Sequence, residues 1–122
     1  MTPQRALVFR LIEEMAERHP SAETLYVHAA REMPSMSLRT VYAVLDELAT
    51  AGQIRPLDLG TGSKRMCTNP ARHHHAVCIR CGKVEDIFVD VGPVDVPREQ
   101  RRGFAISEYS VVFRGLCATC RA

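Results

Sequence analysis

Apolar residues recur along the first fifty positions at the spacing of an α-helix, and the spacing changes to simple alternation beyond residue 80. Phe9, Ile12, Met15 and Ala16 define the first helix. Thr2 is placed to cap it, with Pro3 at its first position, and the pattern stops before His19-Pro20. Ser21 caps a second helix containing Leu25 and Ala29, which Pro34 ends. Ser37 caps a third, in which Leu38, Val41, Leu45 and Leu48 form one apolar stripe before Gly52 stops it. That phase leaves Arg39, Tyr42, Ala43 and Asp46 facing outward. The following "IRPLDLGTGSKRMC" reads as two short strands around a turn at Gly60-Thr61-Gly62-Ser63. Three short helices and a hairpin predict a winged helix-turn-helix.

A break at Thr68-Asn69-Pro70-Ala71 predicts a hinge. Beyond it, "VEDIFVDV" sends Glu85, Ile87, Val89 and Val91 one way and Val84, Asp86, Phe88 and Asp90 the other. In "SEYSVVFRG", Tyr109, Val111 and Phe113 share a face opposite Glu108, Ser110 and Arg114. Between these runs, "GPVDVPREQRRG" has room for a short helix at most. The expected architecture is α+β: a winged helix over residues 1–67, a hinge at 68–72 and a small α/β unit over 73–122.

With 122 residues, 46% of them hydrophobic and 25% charged, the chain suits one compact domain or two small ones and excludes a disordered tail protein. The longest apolar runs are too short to span a bilayer, and no signal-peptide pattern opens the chain. The expectation is a cytoplasmic protein with no membrane partner, in which cysteine pairs bind metal more readily than they form disulfides. The net charge of +2 decides nothing by itself.

Cys78-x-x-Cys81 and Cys117-x-x-Cys120 are the sharpest signal in the chain. Each knuckle lets two thiolates converge on one ion, and two knuckles complete the tetrahedral four-sulfur shell of structural zinc. Disulfides or redox-active dithiols are the alternatives, disfavoured by the doubled spacing and the compartment. Such a clamp is closed to substrate, and its binding energy counts as folding energy for a small unit.

His73-His74-His75 stand just before the first pair. In an extended strand His73, His75 and Val77 face one way, while His74, Ala76 and Cys78 face the other, so the histidine pair and the sulfur site cannot share an ion. Solvated loop histidines are the plain alternative. Cys67, left over once the two pairs are made, and Asp86 on the next strand favour a second metal site. A zinc deaminase would need His-x-Glu and Pro-Cys-x-x-Cys, but Ala76 follows the histidines and Val77 precedes Cys78. A zinc store or thiol redox switch without DNA is a further alternative, in which metal binding is indifferent to DNA.

"TPQR", "HPSAETLY", "SLRTVYAVLDELATAGQI", "HHHAVCIRCGKVEDI" and "GFAISEYSVVFRGLCATC", in that order and at those spacings, resemble the ferric uptake regulator family over nearly the whole chain. The resemblance implies a homodimeric, metal-dependent regulator, a repressor of metal-homeostasis or peroxide-response genes, binding double-stranded operator DNA of palindromic form. It assigns structural Zn2+ to Cys78, Cys81, Cys117 and Cys120, and a second, regulatory divalent ion to His19, Cys67, His73, His75 and Asp86. That ion would be Zn, Fe, Mn or Ni. Cys67 resembles the zinc-responsive branch and tilts the choice toward zinc, because thiolate is a softer ligand than carboxylate. His19 instead resembles the iron and peroxide branches, and the zinc branch draws a ligand from the strand where this chain has Arg55. Tyr109 stands where some relatives carry a histidine, so their additional site is expected to be absent. The 92–102 segment is short, resembling a subgroup linked to catalase-peroxidase control, and a reduced dimer contact is expected. A peroxide sensor is the alternative within the family, through iron-driven oxidation of His19 or His73 or direct oxidation of Cys67.

Ser37, Arg39, Thr40 and Tyr42 are the expected DNA contacts at the third helix, with Lys64 and Arg65 of the hairpin on phosphates. Residues 1–58 carry six arginines against eight acidic side chains, a net −2. A reading head of that sign depends on a few well-placed cations and on dimerisation. With "TPQR" so near its start, the chain is expected to lack the preceding segment that many relatives carry.

Overall fold

The computed structural model of the chain describes residues 2–69 and 73–122. It divides into two compact units, Met1–Ala71 and Arg72–Ala122. Residues 70–72 of the expected hinge lie outside the described residues.

The first unit is built by three capped helices. In α1 (Pro3–Glu14), Thr2 is extended and its Oγ1 accepts the Arg5 N–H at 3.1 Å. Pro3 sits where a missing N–H removes no helical bond. Ser21 caps α2 (Ala22–Glu32) by accepting the Thr24 N–H, and Ser37 caps α3 (Leu38–Thr50) by accepting the Thr40 N–H. The end of α3 follows the glycine-terminated motif: Gly52 takes φ +76°, its N–H donates to the Ala49 carbonyl, and the Gln53 N–H donates to Leu48. Leu7, Val8, Leu11 and Ile12 pack with Leu25 and Ala29 and with Val41, Val44, Leu45 and Leu48 in one core.

Two details differ from the expected stripes. The buried face of α1 is Leu7, Val8, Leu11 and Ile12, while Phe9 is only half-buried and the helix gives way to a 3-10 turn at Ala16–Arg18. On α3, Val44 is buried and Leu38, in the first turn, is exposed. The hairpin forms as expected, β1 (Arg55–Leu57) pairing antiparallel with β2 (Arg65–Cys67) and Arg55 lying opposite Cys67. Pro56 is tolerated because this two-stranded sheet consists of edges only.

The second unit is a three-stranded sheet in the order β4-β3-β5. β3 (His74–Cys78) is central, with β4 (Val84–Ile87) antiparallel on one side and β5 (Val112–Gly115) parallel on the other. Both outer strands are shorter than the alternation predicts. A strand extends only as far as it finds a hydrogen-bonding neighbour, and five-residue β3 limits both. Phe88, Val89, Val91, Val94, Phe104 and Ile106 therefore remain exposed in the single chain. The 92–102 stretch contains one 3-10 turn, Arg98–Gln100.

Leu25 is fully buried among all three helices. Leu25→Ala is expected to destabilise the first unit by about 2–5 kcal/mol, through lost transfer energy and the cavity left behind. Ser37→Ala should cost about 1 kcal/mol through the lost cap. Denaturant unfolding followed by helical circular dichroism checks both.

Candidate metal centres

Sheet pairing assembles the sulfur site. β3 and β5 run parallel and end together at Cys78 and Gly115, so Cys78 and Cys81 meet the residues that follow β5, Cys117 and Cys120. The four Sγ atoms lie within 4.8 Å of one another. A tetrahedral ion with metal–sulfur bonds of about 2.3 Å requires neighbouring sulfurs about 3.8 Å apart. Cys81 Sγ and Cys117 Sγ are 3.8 Å apart, which is that tetrahedral edge. The Cys81 N–H donates to Cys78 Sγ at 3.4 Å, and the Arg80 guanidinium donates to the Cys120 carbonyl at 3.1 Å, tying one knuckle to the other. All five cysteines are free of disulfides. The residues fit a zinc ion, whose chemistry here is to cross-link rather than to react.

Protonation within the cage is uneven. Backbone N–H groups, first that of Cys81 and then that of Cys117, pull the Cys78 thiol down to about 5. The Cys120 N–H lowers Cys117, and the hydrogen bond that Cys120 makes with Cys117 pushes Cys120 up to about 12. The metal-free cage at neutral pH therefore holds thiolate beside a retained thiol proton, with the titrations shared across the group.

The second unit gathers a different donor set. The β3–β4 register pairs His75 with Asp86, so both lie on one face of the sheet. Asp86 Oδ1 is 3.0 Å from His73 Nε2 and 3.4 Å from His75 Nε2, and the two rings are 4.6 Å apart. Phe88, on the same alternation as Asp86, stacks on His73 at 5.2 Å. Two imidazole nitrogens and a carboxylate oxygen meeting in this way suit a borderline divalent ion. His74 points elsewhere: its Nδ1 accepts the Val111 N–H at 3.0 Å, which stitches β3 to the chain entering β5. That role was legible only as far as the strand alternation, which sets His74 apart from its neighbours.

The first unit presents His19 and Cys67, whose ligand atoms lie within 4.8 Å of each other. Cys67 ends β2 and is buried. His19 ends the 3-10 turn in the left-handed region, φ 49° and ψ 69°. Such a conformation costs a non-glycine residue about 1–3 kcal/mol, so the surroundings must impose it. His19 Nδ1 is 3.3 Å from the Glu17 carbonyl. A carbonyl only accepts, so this contact suits the tautomer with the proton on Nδ1, the form in which a histidine offers Nε2 to a metal.

Of the expected DNA contacts, Arg39 and Tyr42 are exposed on the outer face of α3, and Lys64 is exposed beside the wing turn. Ser37 and Thr40 stand at the start of α3, where the Ser37 hydroxyl serves as the cap and lies 2.9 Å from Thr40 Oγ1. The Tyr42 hydroxyl donates to Glu23 at 2.9 Å, which raises its pKa above the ordinary phenol value. Arg65 behaves differently from Lys64. Its Nε donates to the His19 carbonyl and its Nη2 to the Arg18 carbonyl at 2.8 Å. The sequence gives no signal for this inward engagement, because it joins residues 46 positions apart.

A zinc-loaded cage holds fewer protons than an empty one, so zinc affinity must rise with pH. Zinc added to the metal-free protein at pH 7 is expected to release at least one proton per cage. The apparent affinity should gain about tenfold per pH unit for each proton released. Titration in weakly buffered solution checks this, and binding with no proton release would contradict it.

Comparison with known proteins places the chain in a family. The model of the ferric uptake regulator family matches residues 1–114. The ferric uptake regulation protein of Bacillus subtilis is 32% identical, with 98% of this chain and 84% of that protein aligned. The peroxide operon regulator of the same organism is also 32% identical, over 98% of this chain and 83% of its own length. Among solved structures, the iron-bound ferric uptake regulator of Francisella tularensis shares the fold with a TM-score of 0.79, covering 100% of this chain and 94% of that one at 21% identity. By sequence and by fold, the chain belongs to the ferric uptake regulator family.

Proposed function

We propose that the chain is a metal-dependent, homodimeric repressor acting in the cytoplasm on palindromic operator DNA. In this reading Cys78, Cys81, Cys117 and Cys120 hold zinc permanently. His19, Cys67, His73, His75 and Asp86 take a second, exchangeable divalent ion. Members of the family are transcription regulators and not enzymes.

The observation that carries the regulatory site is the division of its donors. Asp86 gathers His73 and His75 in one unit, while His19 and Cys67 pair in the other. A four-coordinate ion needs four donors. The second unit's group supplies three and the first unit's pair supplies two. One ion drawing on both would link the DNA-reading unit to the pairing unit, and its presence would change how well two recognition helices match successive major grooves. Cys67 inclines the site toward zinc, while the nitrogen and oxygen donors leave iron, manganese and nickel as competitors. Burial of Cys67 argues against direct thiol oxidation as the trigger.

The reading of the two units as DNA-binding (1–67) and dimerising (73–122), joined at 68–72, is supported by their contents. The first has a capped α3 with Arg39 and Tyr42 exposed, and the second exposes Phe88, Val89, Phe104 and Ile106, an apolar surface suited to a second copy.

Operator sequences selected from a random duplex pool with the zinc-loaded protein provide the test. Added zinc, manganese, iron or nickel should tighten binding to a palindromic site, and Cys67→Ser and His75→Ala should each remove that response. Lys64→Ala should weaken binding evenly across sequences and lower the salt slope by about one. A metal response that survives both Cys67→Ser and His75→Ala would overturn the ligand assignment.

A further inference from the structure

The backbone that carries His19 is held from the wing. Arg65 on β2 forks its guanidinium across two consecutive carbonyls, those of Arg18 and His19. The same strand continues the hold. The Met66 N–H donates to the Pro20 carbonyl at 2.9 Å, and Ser21 forms an isolated antiparallel bridge with Arg65. Four successive residues, 18–21, are thus fastened to Arg65 and Met66, immediately before Cys67. Arginine suits this task because its planar fork is preorganised for two parallel hydrogen bonds, whereas a lysine ammonium is a single mobile point.

We propose that Arg65 is a positioning residue for the regulatory metal: its fork holds the left-handed turn that aims the His19 ring, and it joins that ligand to the strand carrying Cys67. The proposal rests on His19 and Cys67 being ligands of the exchangeable ion. Within the first unit the two ligands then move as one piece with the foot of the wing, so the turn 60–63 and Lys64 follow the geometry of the metal site. An outer-sphere partner of this kind typically governs a ligand's contribution to affinity by 10–100-fold. It also removes Arg65 from the set of phosphate contacts, leaving that role on the wing to Lys64.

The test uses the full chain with zinc in the four-cysteine cage, and cobalt(II) as the probe of the second site. Parent protein, Arg65→Gln, Arg65→Lys, Lys64→Ala and His19→Ala are titrated, reading the d–d bands and the thiolate-to-cobalt charge-transfer band without DNA. Arg65→Gln is expected to weaken cobalt binding at least tenfold and to change the d–d envelope toward that of His19→Ala. Its helical circular dichroism should stay that of the parent. Arg65→Lys should fall between them, and it supplies the same readout if Arg65→Gln is too unstable to purify. Lys64→Ala should bind cobalt like the parent. If Arg65→Gln and Arg65→Lys match the parent in affinity and spectrum while His19→Ala does not, the positioning role is overturned. A uniform loss of DNA affinity in those variants would then mark Arg65 as a phosphate contact. If His19→Ala itself binds cobalt like the parent, the ligand assignment falls, and the positioning role falls with it.

Discussion

A metal ion accepts only donors that meet at one point, and the register of β3 supplies that meeting twice. Against β4 it sets His75 beside Asp86; against β5 it ends Cys78 level with Gly115, two residues before Cys117. Because successive side chains of a strand alternate, a slip of one residue would turn the histidines toward the wrong face and separate the two cysteine knuckles. The second unit has little apolar material to resist such a slip, with Val77 and Val84 its buried aliphatics among the described residues. The sulfur cage supplies the missing constraint, since it locks the chain end to the turn after β3. His74 adds a second lock through the Val111 N–H.

The first unit solves the opposite problem. Its core of aliphatic side chains from α1, α2 and α3 is self-sufficient, and its ligands sit at the edge of that core. His19 is kept in an unfavourable backbone conformation by hydrogen bonds from β2 as well as by its own N–H bond back to the Ala16 carbonyl, so the wing shares in holding the strain. Under the proposed function, that arrangement makes the wing part of the sensing apparatus. It also offsets the weak intrinsic attraction for DNA of a reading head whose eight basic and eight acidic side chains over residues 1–67 cancel, because order at the wing and pairing of two chains do what bulk charge does not.

Much of this was readable from the chain. Capping residues fixed the starts of all three helices, because Thr2, Ser21 and Ser37 have local partners three residues on. The cysteine spacing announced the cage, and strand alternation separated His74 from His73 and His75. What the sequence did not show shares one cause. The lengths of β4 and β5 depend on their neighbour β3, the exposure of Leu38 depends on where the other helices pack, and the hydrogen bonds of Arg65, which the sequence did not announce, depend on carbonyls far back in the chain. Local pattern carries no information about such partners. The mixed character of the second donor set, with a thiol among histidines and a carboxylate, was visible as composition, whereas its division between Asp86's group and the His19–Cys67 pair follows from the fold.

Under the proposed function, the exchangeable ion and operator DNA act on one conformational equilibrium. Coupling of that kind is reciprocal: the factor by which metal tightens DNA binding must equal the factor by which DNA tightens metal binding. The direct measurement is calorimetric titration of the exchangeable ion into the zinc-loaded dimer, alone and saturated with operator duplex. Metal binding is expected to be tighter on DNA, by the same factor that the ion contributes to operator affinity. Equal metal affinity in the two titrations would contradict this coupling.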